Sequence, residues 1–201
     1  TNGYNRESLN VTVTRPDNSQ AQITMVKKAG IGQTLEHVVQ VDHAVDAVSR
    51  TLGVNLVKLL KLTPDRRRFQ LLSGVGWKEG LVGRTTVPNG ITSQAGFTLQ
   101  SAGPVIVKDL RKEKRFDGPA LLTDHDVVAG ISVIVGPEET PWGVLGAHAT
   151  REIAFTVDDA NFLQAMANVL WEAIDRDARQ RTLAMQLAEI QTTYRGSPIG
   201  L

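Results

Sequence analysis

The stretch Val127-Val128-Ala129-Gly130-Ile131-Ser132-Val133-Ile134-Val135-Gly136-Pro137-Glu138-Glu139-Thr140-Pro141-Trp142-Gly143-Val144-Leu145-Gly146-Ala147-His148-Ala149-Thr150 decides the fold. Two runs rich in β-branched and small residues, 127–135 and 141–150, flank Gly136-Pro137-Glu138-Glu139, which is good turn chemistry. They read as consecutive antiparallel strands. Along the second strand Trp142, Val144, Gly146 and His148 share one face, and Leu145, Ala147 and Ala149 share the other. Both faces are mostly apolar or small, so the sheet needs a layer on each side.

Upstream, residues 104–109 (Pro-Val-Ile-Val-Lys-Asp) read as a third strand. Residues 54–62 and 67–76 read as two more, with Pro64-Asp65 and Arg66-Arg67-Arg68 at their turn. The basic run is the charged tip of a tight hairpin. Before them, Val38, Val41, Val45, Val48 and Leu52 step by three and four, which predicts a helix over 34–52. Thr34 is its expected N-cap and Gly53 its C′ residue. Residues 9–15 and 20–26 predict a leading hairpin around Pro16-Asp17-Asn18-Ser19. Such a hairpin is marginal alone and must pack on something.

Downstream, residues 157–194 contain no proline or glycine and predict one long helix. Thr156 caps it, and Asp158 and Asp159 favour the positive end of its dipole. The order of elements predicts an α+β fold, an antiparallel sheet with helices on it. The helices form one cover of that sheet. The other cover is the glycine-punctuated region 77–126, with a short helix expected at 92–102, a charged loop at 111–115 and a helical turn at 120–126.

A loop-rich lid over an apolar sheet makes a small-molecule pocket. Its expected lining is Trp77, Phe97, Phe116, Leu122, Asp124 and His125. Asp109, Ser132 and His148, from the strands, complete the candidate ligand-binding set. The competing reading is that these side chains fill a core.

The long helix carries a length argument. About 38 residues at 1.5 Å each span about 57 Å. A body of about 155 residues is about 40 Å across, so the helix overshoots it. A charged belt, Asp175, Arg176, Asp177, Arg179 and Arg181, is followed by an apolar stripe of Leu183, Leu187, Ile190 and Tyr194. An apolar stripe beyond the globule needs a partner, and the simplest is the same helix of a second copy. The expected interface is Leu163, Met166, Leu170 and Ile174, then Leu183, Leu187 and Ile190. A tail that folds back or frays is the alternative.

Composition closes several routes. The chain of 201 residues has no cysteine, which excludes disulfides, a thiolate nucleophile, Cys-ligated zinc and iron–sulfur clusters. Lys and Arg number 22 against 21 Asp and Glu, which gives no charge warrant for nucleic acid or an anionic membrane. No apolar run is long enough to span a bilayer. No HExxH or G-x-S-x-G pattern occurs, and Gly74 to Gly80 match neither phosphate-loop nor dinucleotide spacing. His37 and His43, six residues apart, do not share a helical face. Asp124-His125-Asp126 diverge in direction and are not a preformed metal site; the expected role is a loop that orients a ligand or caps a turn. No catalytic residue and no metal ligand is assigned. Thr1-Asn2-Gly3 and Ser197 to Leu201 read as cut ends of a longer chain.

These motifs, in order, resemble the GAF domain, a small-molecule sensing module of multidomain signalling proteins. The matching segments are Leu72 to Trp77, Gly80 to Gly83, Ser93 to Leu99, Pro104 to Leu110, Asp124-His125 with Val127 to Val133, Trp142 to Gly146, and Phe155 to Asp159 with Phe162 to Gln164. The resemblance implies a central antiparallel sheet of five or six strands, helices on one face and a ligand pocket on the other. It implies residues 31–176 as the GAF domain, 1–30 as a hairpin like the end of a PAS domain, and 177–201 as a signalling helix and linker. A cytoplasmic bacterial sensor of the histidine kinase or diguanylate cyclase type is the implied parent, dimeric through the long helix. The missing cysteine excludes a covalently attached bilin and the methionine sulfoxide reductase activity of some relatives. The cyclic-nucleotide signature is echoed by Phe155 and Asp158-Asp159 alone. Haem held by His125 or His148 stays open, and the ligand is unknown.

Overall fold

The computed structural model describes residues 6–14, 20–28, 36–39, 41–101 and 103–196, and side chains within 12–14, 41–101 and 103–192. The chain's first and last residues, the turn Pro16 to Ser19, the Thr34 cap and Ala102 lie outside the described residues. So do the side chains of His37, Val38 and Tyr194.

Three antiparallel strands come first: β1 (Arg6–Thr14), β2 (Gln20–Lys28) and β3 (Glu36–Val39), in the order β1-β2-β3. The expected hairpin is present. The expected helix over 34–52 is corrected, because Glu36–Val39 pairs with β2, with Val38 opposite Val26. Two adjacent valines suit a pleated strand better than a helix start once a partner strand is available. The helix α1 is therefore Val41–Leu52. It ends as expected at Gly53, with φ +61. Gly53 N donates to Arg50 O (3.3 Å) and Val54 N to Ser49 O (3.1 Å), the paired bonds of a Schellman stop.

The main sheet contains β4 (Leu56–Leu62), β5 (Arg68–Val75), β6 (Thr86–Pro88), β7 (Val105–Val107), β8 (Ala129–Val135) and β9 (Gly143–Ala149). Its order is β6-β5-β4-β9-β8-β7, antiparallel throughout. Strand β6 falls inside the region expected to be irregular. The strand expected over 104–109 stops at Val107, because the Asp109 carboxylate accepts from Arg111 N (3.1 Å) and opens a 3-10 turn at Leu110–Lys112. The lid also holds α2 (Gln94–Gln100) and α3 (Ala120–Thr123).

The last helix, α4, is Val157–Gly196. Thr156 and Asp159 cap it reciprocally: Thr156 N donates to the Asp159 carboxylate (2.7 Å) and Asp159 N to Thr156 Oγ1 (3.2 Å). One face of the main sheet packs on α1 and the first half of α4. Val57, Leu59, Ile131, Val133, Leu145 and Ala147 meet Ala44, Val48, Leu163, Met166 and Leu170 there. Each large aliphatic side chain fully buried in this layer contributes about 2 kcal/mol. Leu163, Met166 and Leu170 are 0 % exposed, so they belong to the chain's own core. Their expected role between copies is corrected: a side chain with no surface cannot meet a second molecule. The remaining candidates are half-buried Ile174 and exposed Leu183, Leu187 and Ile190. No helix among the described residues is long and apolar enough to cross a membrane.

Candidate functional site beneath the lid

The face of the sheet turned from the helices carries the chemistry. Register places Gly74, Lys58, Gly146, Ser132 and Val105 in one row across β5, β4, β9, β8 and β7. The next row holds Leu56, His148, Gly130 and Val107. Glycines alternate with the polar groups for a steric reason. A Cβ on Gly130 would lie 2.3 Å from His148 Nδ1, and one on Gly146 would lie 2.8 Å from His148 Nε2 and 3.1 Å from Lys58 Cε. The lysine stem and the imidazole thus lie over bare backbone, side by side.

The lid closes on them. Trp77 lies over Gly74, donates its indole N–H to Val57 O (2.7 Å), and stands edge-on to both His148 and His125 at 6.2 and 5.0 Å. Helix α2 is capped by Ser93, whose Oγ accepts from Gly96 N (3.0 Å). Its inner face presents Gln94 and Thr98, one turn apart. Thr98 Oγ1 donates to Gln94 O (2.7 Å), so its 2.8 Å contact with Ser132 is donated by the serine. Phe97 packs on Phe116 at 5.4 Å, and both join Leu56, Val105, Leu122 and Trp77 in an apolar wall.

Four buried polar atoms here have no hydrogen-bond partner: Lys58 Nζ, Gln94 Nε2, and both ring nitrogens of His148. Lys58, Gln94 and His148 are 1 %, 1 % and 0 % exposed. A buried donor left unmade is expensive, about 1–3 kcal/mol each. Natural interiors keep such groups for a reason. Burial lowers the Lys58 ammonium from its ordinary 10.5 to about 7. Burial first, and the Lys58 charge second, push His148 well below the usual imidazole range.

Of the residues expected from sequence, Trp77, Phe97, Phe116, Leu122, His125, Ser132 and His148 gather here. His125 has a defined part. Its Nδ1 contacts Leu121 O (2.9 Å) and its Nε2 accepts from Lys78 N (3.0 Å), which fixes the Nδ1–H tautomer and ties the segment after β5 to α3. Two candidates stand apart. Asp124 is exposed at the end of α3, with its carbonyl accepting from Lys78 Nζ (2.8 Å). Asp109 lines a separate open cleft of about 700 Å³ with Lys108, Lys112, Glu113 and Glu152. There its carboxyl is held far below the usual range, chiefly by Arg111. Lys58, Gln94 and Thr98 were missed. The one signal in the sequence was a lysine set into the apolar strand Leu56-Val57-Lys58-Leu59-Leu60. Among the described residues no three His, Asp or Glu side chains gather as a cation site.

The family described as GAF domain matches residues 38–174. Three solved structures share the fold. The GAF domain of an Acinetobacter phosphoenolpyruvate-protein phosphotransferase is 18% identical over 71% of this chain and 82% of its own, with TM-score 0.59. The free methionine-R-sulfoxide reductase of Neisseria meningitidis, in complex with its substrate, is 19% identical over 70% and 78%, with TM-score 0.57. A domain of a putative two-component sensor histidine kinase from Sinorhizobium meliloti 1021 is 14% identical over 70% and 92%, with TM-score 0.56. No curated protein matches the chain.

Proposed function

The chain belongs to the GAF domain family, and from that premise we propose that it is a sensory and regulatory module without catalysis of its own. A small ligand held between sheet and lid biases α4, and α4 carries that bias to an adjoining domain. The parent is a cytoplasmic bacterial signalling protein of the histidine kinase or diguanylate cyclase type. Residues 31–176 form the sensing domain, 1–30 the hairpin of a preceding module, and 177–201 the signalling helix and linker.

The course of α4 carries this reading. Its first half is core, from Phe162 to Ala173. Its second half leaves the core with Leu183, Leu187 and Ile190 still 52–57 % exposed. Below them, Asp175–Arg179 and Asp177–Arg181 pair along the helix, as suits a solvated stretch. A helix joined to the sheet at one end and to a second copy at the other can pass a shift between them. Coupling requires that the ligand favour one helix state over the other.

Sedimentation of chains ending at residues 176 and 201 tests the dimer. The longer chain sediments as a dimer at micromolar concentration and the shorter as a monomer. Replacing Leu187 and Ile190 by polar residues weakens self-association by roughly 100-fold and uncouples output from input in the parent. Two monomeric chains, or unchanged signalling, would sink the reading. A dimerising spacer without ligand is the second reading. The packing of Phe97, Phe116, Leu122 and Trp77 into one wall supports it, and a metabolite thermal-shift screen flat in every case would favour it.

A further inference from the structure

We propose that the Lys58–His148–Gln94 cluster is a receptor for a small organic monoanion, a carboxylate on a short apolar body, held between the sheet and α2. This rests on the ligand-sensing reading above and gives its ligand a chemistry.

The cluster offers three donors against one acceptor, the unprotonated ring nitrogen of His148. Lys58 Nζ and Gln94 Nε2 are donors only, both buried and both unpartnered. One ring nitrogen of neutral His148 is a third donor. All three converge. Lys58 and His148 crowd the same point above Gly146. Gln94 shares a helix face with Thr98, which touches Ser132, the cross-strand neighbour of Gly146. A carboxylate accepts several such bonds, and charge-assisted ones are about twice as strong as neutral ones. One ammonium balances one negative charge. A phosphate dianion would keep a second charge buried without a counterpart, which is strongly unfavourable. The surrounding wall of Leu56, Val105, Leu122 and Phe116 suits a short aliphatic body.

The protonation state follows from the surroundings of Lys58. On β5 its cross-strand neighbour is Gly74, over which Trp77 of the lid lies, and on β9 it is Gly146, where His148 also stands; beyond Trp77 is His125. His148 is the titratable group beside it, and it is neutral. With its pKa near 7, Lys58 is largely unprotonated at pH 8 and becomes an ammonium when it pairs with the anion. Binding at pH 8 therefore takes up close to one proton.

Calorimetric titration of the full chain with acetate, propanoate and butanoate, and with acetamide, propanamide and inorganic phosphate, tests this. Run at pH 8 in two buffers of different ionisation enthalpy, it shows carboxylate binding with proton uptake and at least tenfold weaker binding of the amides. Lys58→Met loses at least tenfold in carboxylate affinity and Gln94→Leu several-fold. Thermal melts confirm that each variant is folded. Equal binding of carboxylates and amides overturns the anion and leaves the sensing pocket standing. Tighter binding of phosphate, carboxylate binding that survives Lys58→Met, or no response to any probe at 10-fold molar excess over a ~1 mM Kd each overturns the proposal. None of these outcomes bears on the helix dimer, which sedimentation tests separately.

Discussion

Replacing Lys58 by Met raises the stability of the chain, and raises it most at pH 7 and below. Methionine keeps the volume and flexibility of the lysine stem, so the packing over Gly146 is conserved. What is removed is an ammonium that is 1 % exposed and has no partner. Burial moves its pKa from 10.5 down to about 7. At 1.36 kcal/mol per unit, the charged form is penalised by up to about 5 kcal/mol. The sign follows from proton counts. Below pH 7 both folded and unfolded chains hold the proton, and the full penalty is present. Between 7 and 10.5 the unfolded chain keeps a proton that the folded one has lost, so wild-type stability rises with pH. Above 10.5 the penalty is gone. Denaturant unfolding at pH 7, 8.5 and 10 measures it. The variant leads by about 3 kcal/mol or more at pH 7, and the lead shrinks toward pH 10. This window lies above the range in which His148 titrates. A lead that does not change with pH means that Lys58 is not buried as a charge.

A residue that lowers stability points to function, since sites trade stability for activity. Lys58 was hard to see in the sequence for the same reason. Inside Leu56-Val57-Lys58-Leu59-Leu60, strand alternation puts it on the face opposite Val57 and Leu59. The sequence predicts a lid over one face of the sheet, but not that Lys58 lies on that face. The glycines that make room for it, Gly74 and Gly146, lie 16 or more positions away and become its neighbours only through register. Gln94 is hidden in the same way, as an ordinary polar residue at the start of a short helix.

The legible parts are those set by long periodic segments. The strands β8 and β9, the hairpin of β4 and β5, and α4 follow from alternation or from helical stripes. Within β9 the two faces fall as expected, Leu145, Ala147 and Ala149 against the helices and Val144 against the lid, but Trp142, expected beside Val144, precedes the strand and packs on the helix-side core. The errors lie where a segment is too short for periodicity to speak. Four residues at Glu36–Val39 continue the helical stripe of α1 yet pair as a strand. Three at Thr86–Pro88 pair with β5 although Pro88 ends the run. Asp109 and Asp124 lie away from this pocket: Asp109 pairs with Arg111 and Lys112 at the separate cleft, and Asp124 ends α3 exposed.

Gly143→Ala unfolds the chain at a markedly lower temperature, by roughly 6–12 °C. Gly143 sits in the middle of the sheet, opposite Lys61 of β4 on one side and Val135 of β8 on the other. A Cβ there would stand 2.0 Å from Leu60 O and 3.1 Å from Leu60 C. Both are backbone atoms of the neighbouring strand, so no rotamer change relieves the clash. The strand pair must separate next to the register shift at Leu59/Leu60. Overpacking of this kind costs about 3 kcal/mol or more. Gly53 is the internal control. Its φ of +61 disfavours alanine, but nothing lies within 4 Å of its Cβ site, so Gly53→Ala costs about 1–2 kcal/mol. Thermal unfolding of the two variants side by side decides the matter. If Gly143→Ala melts no lower than Gly53→Ala, the close approach of β4 and β9 is not a constraint. If it melts much lower, the same widening also shifts the two strands that carry Lys58 and His148, and carboxylate affinity falls with stability in this variant while Gly53→Ala keeps it.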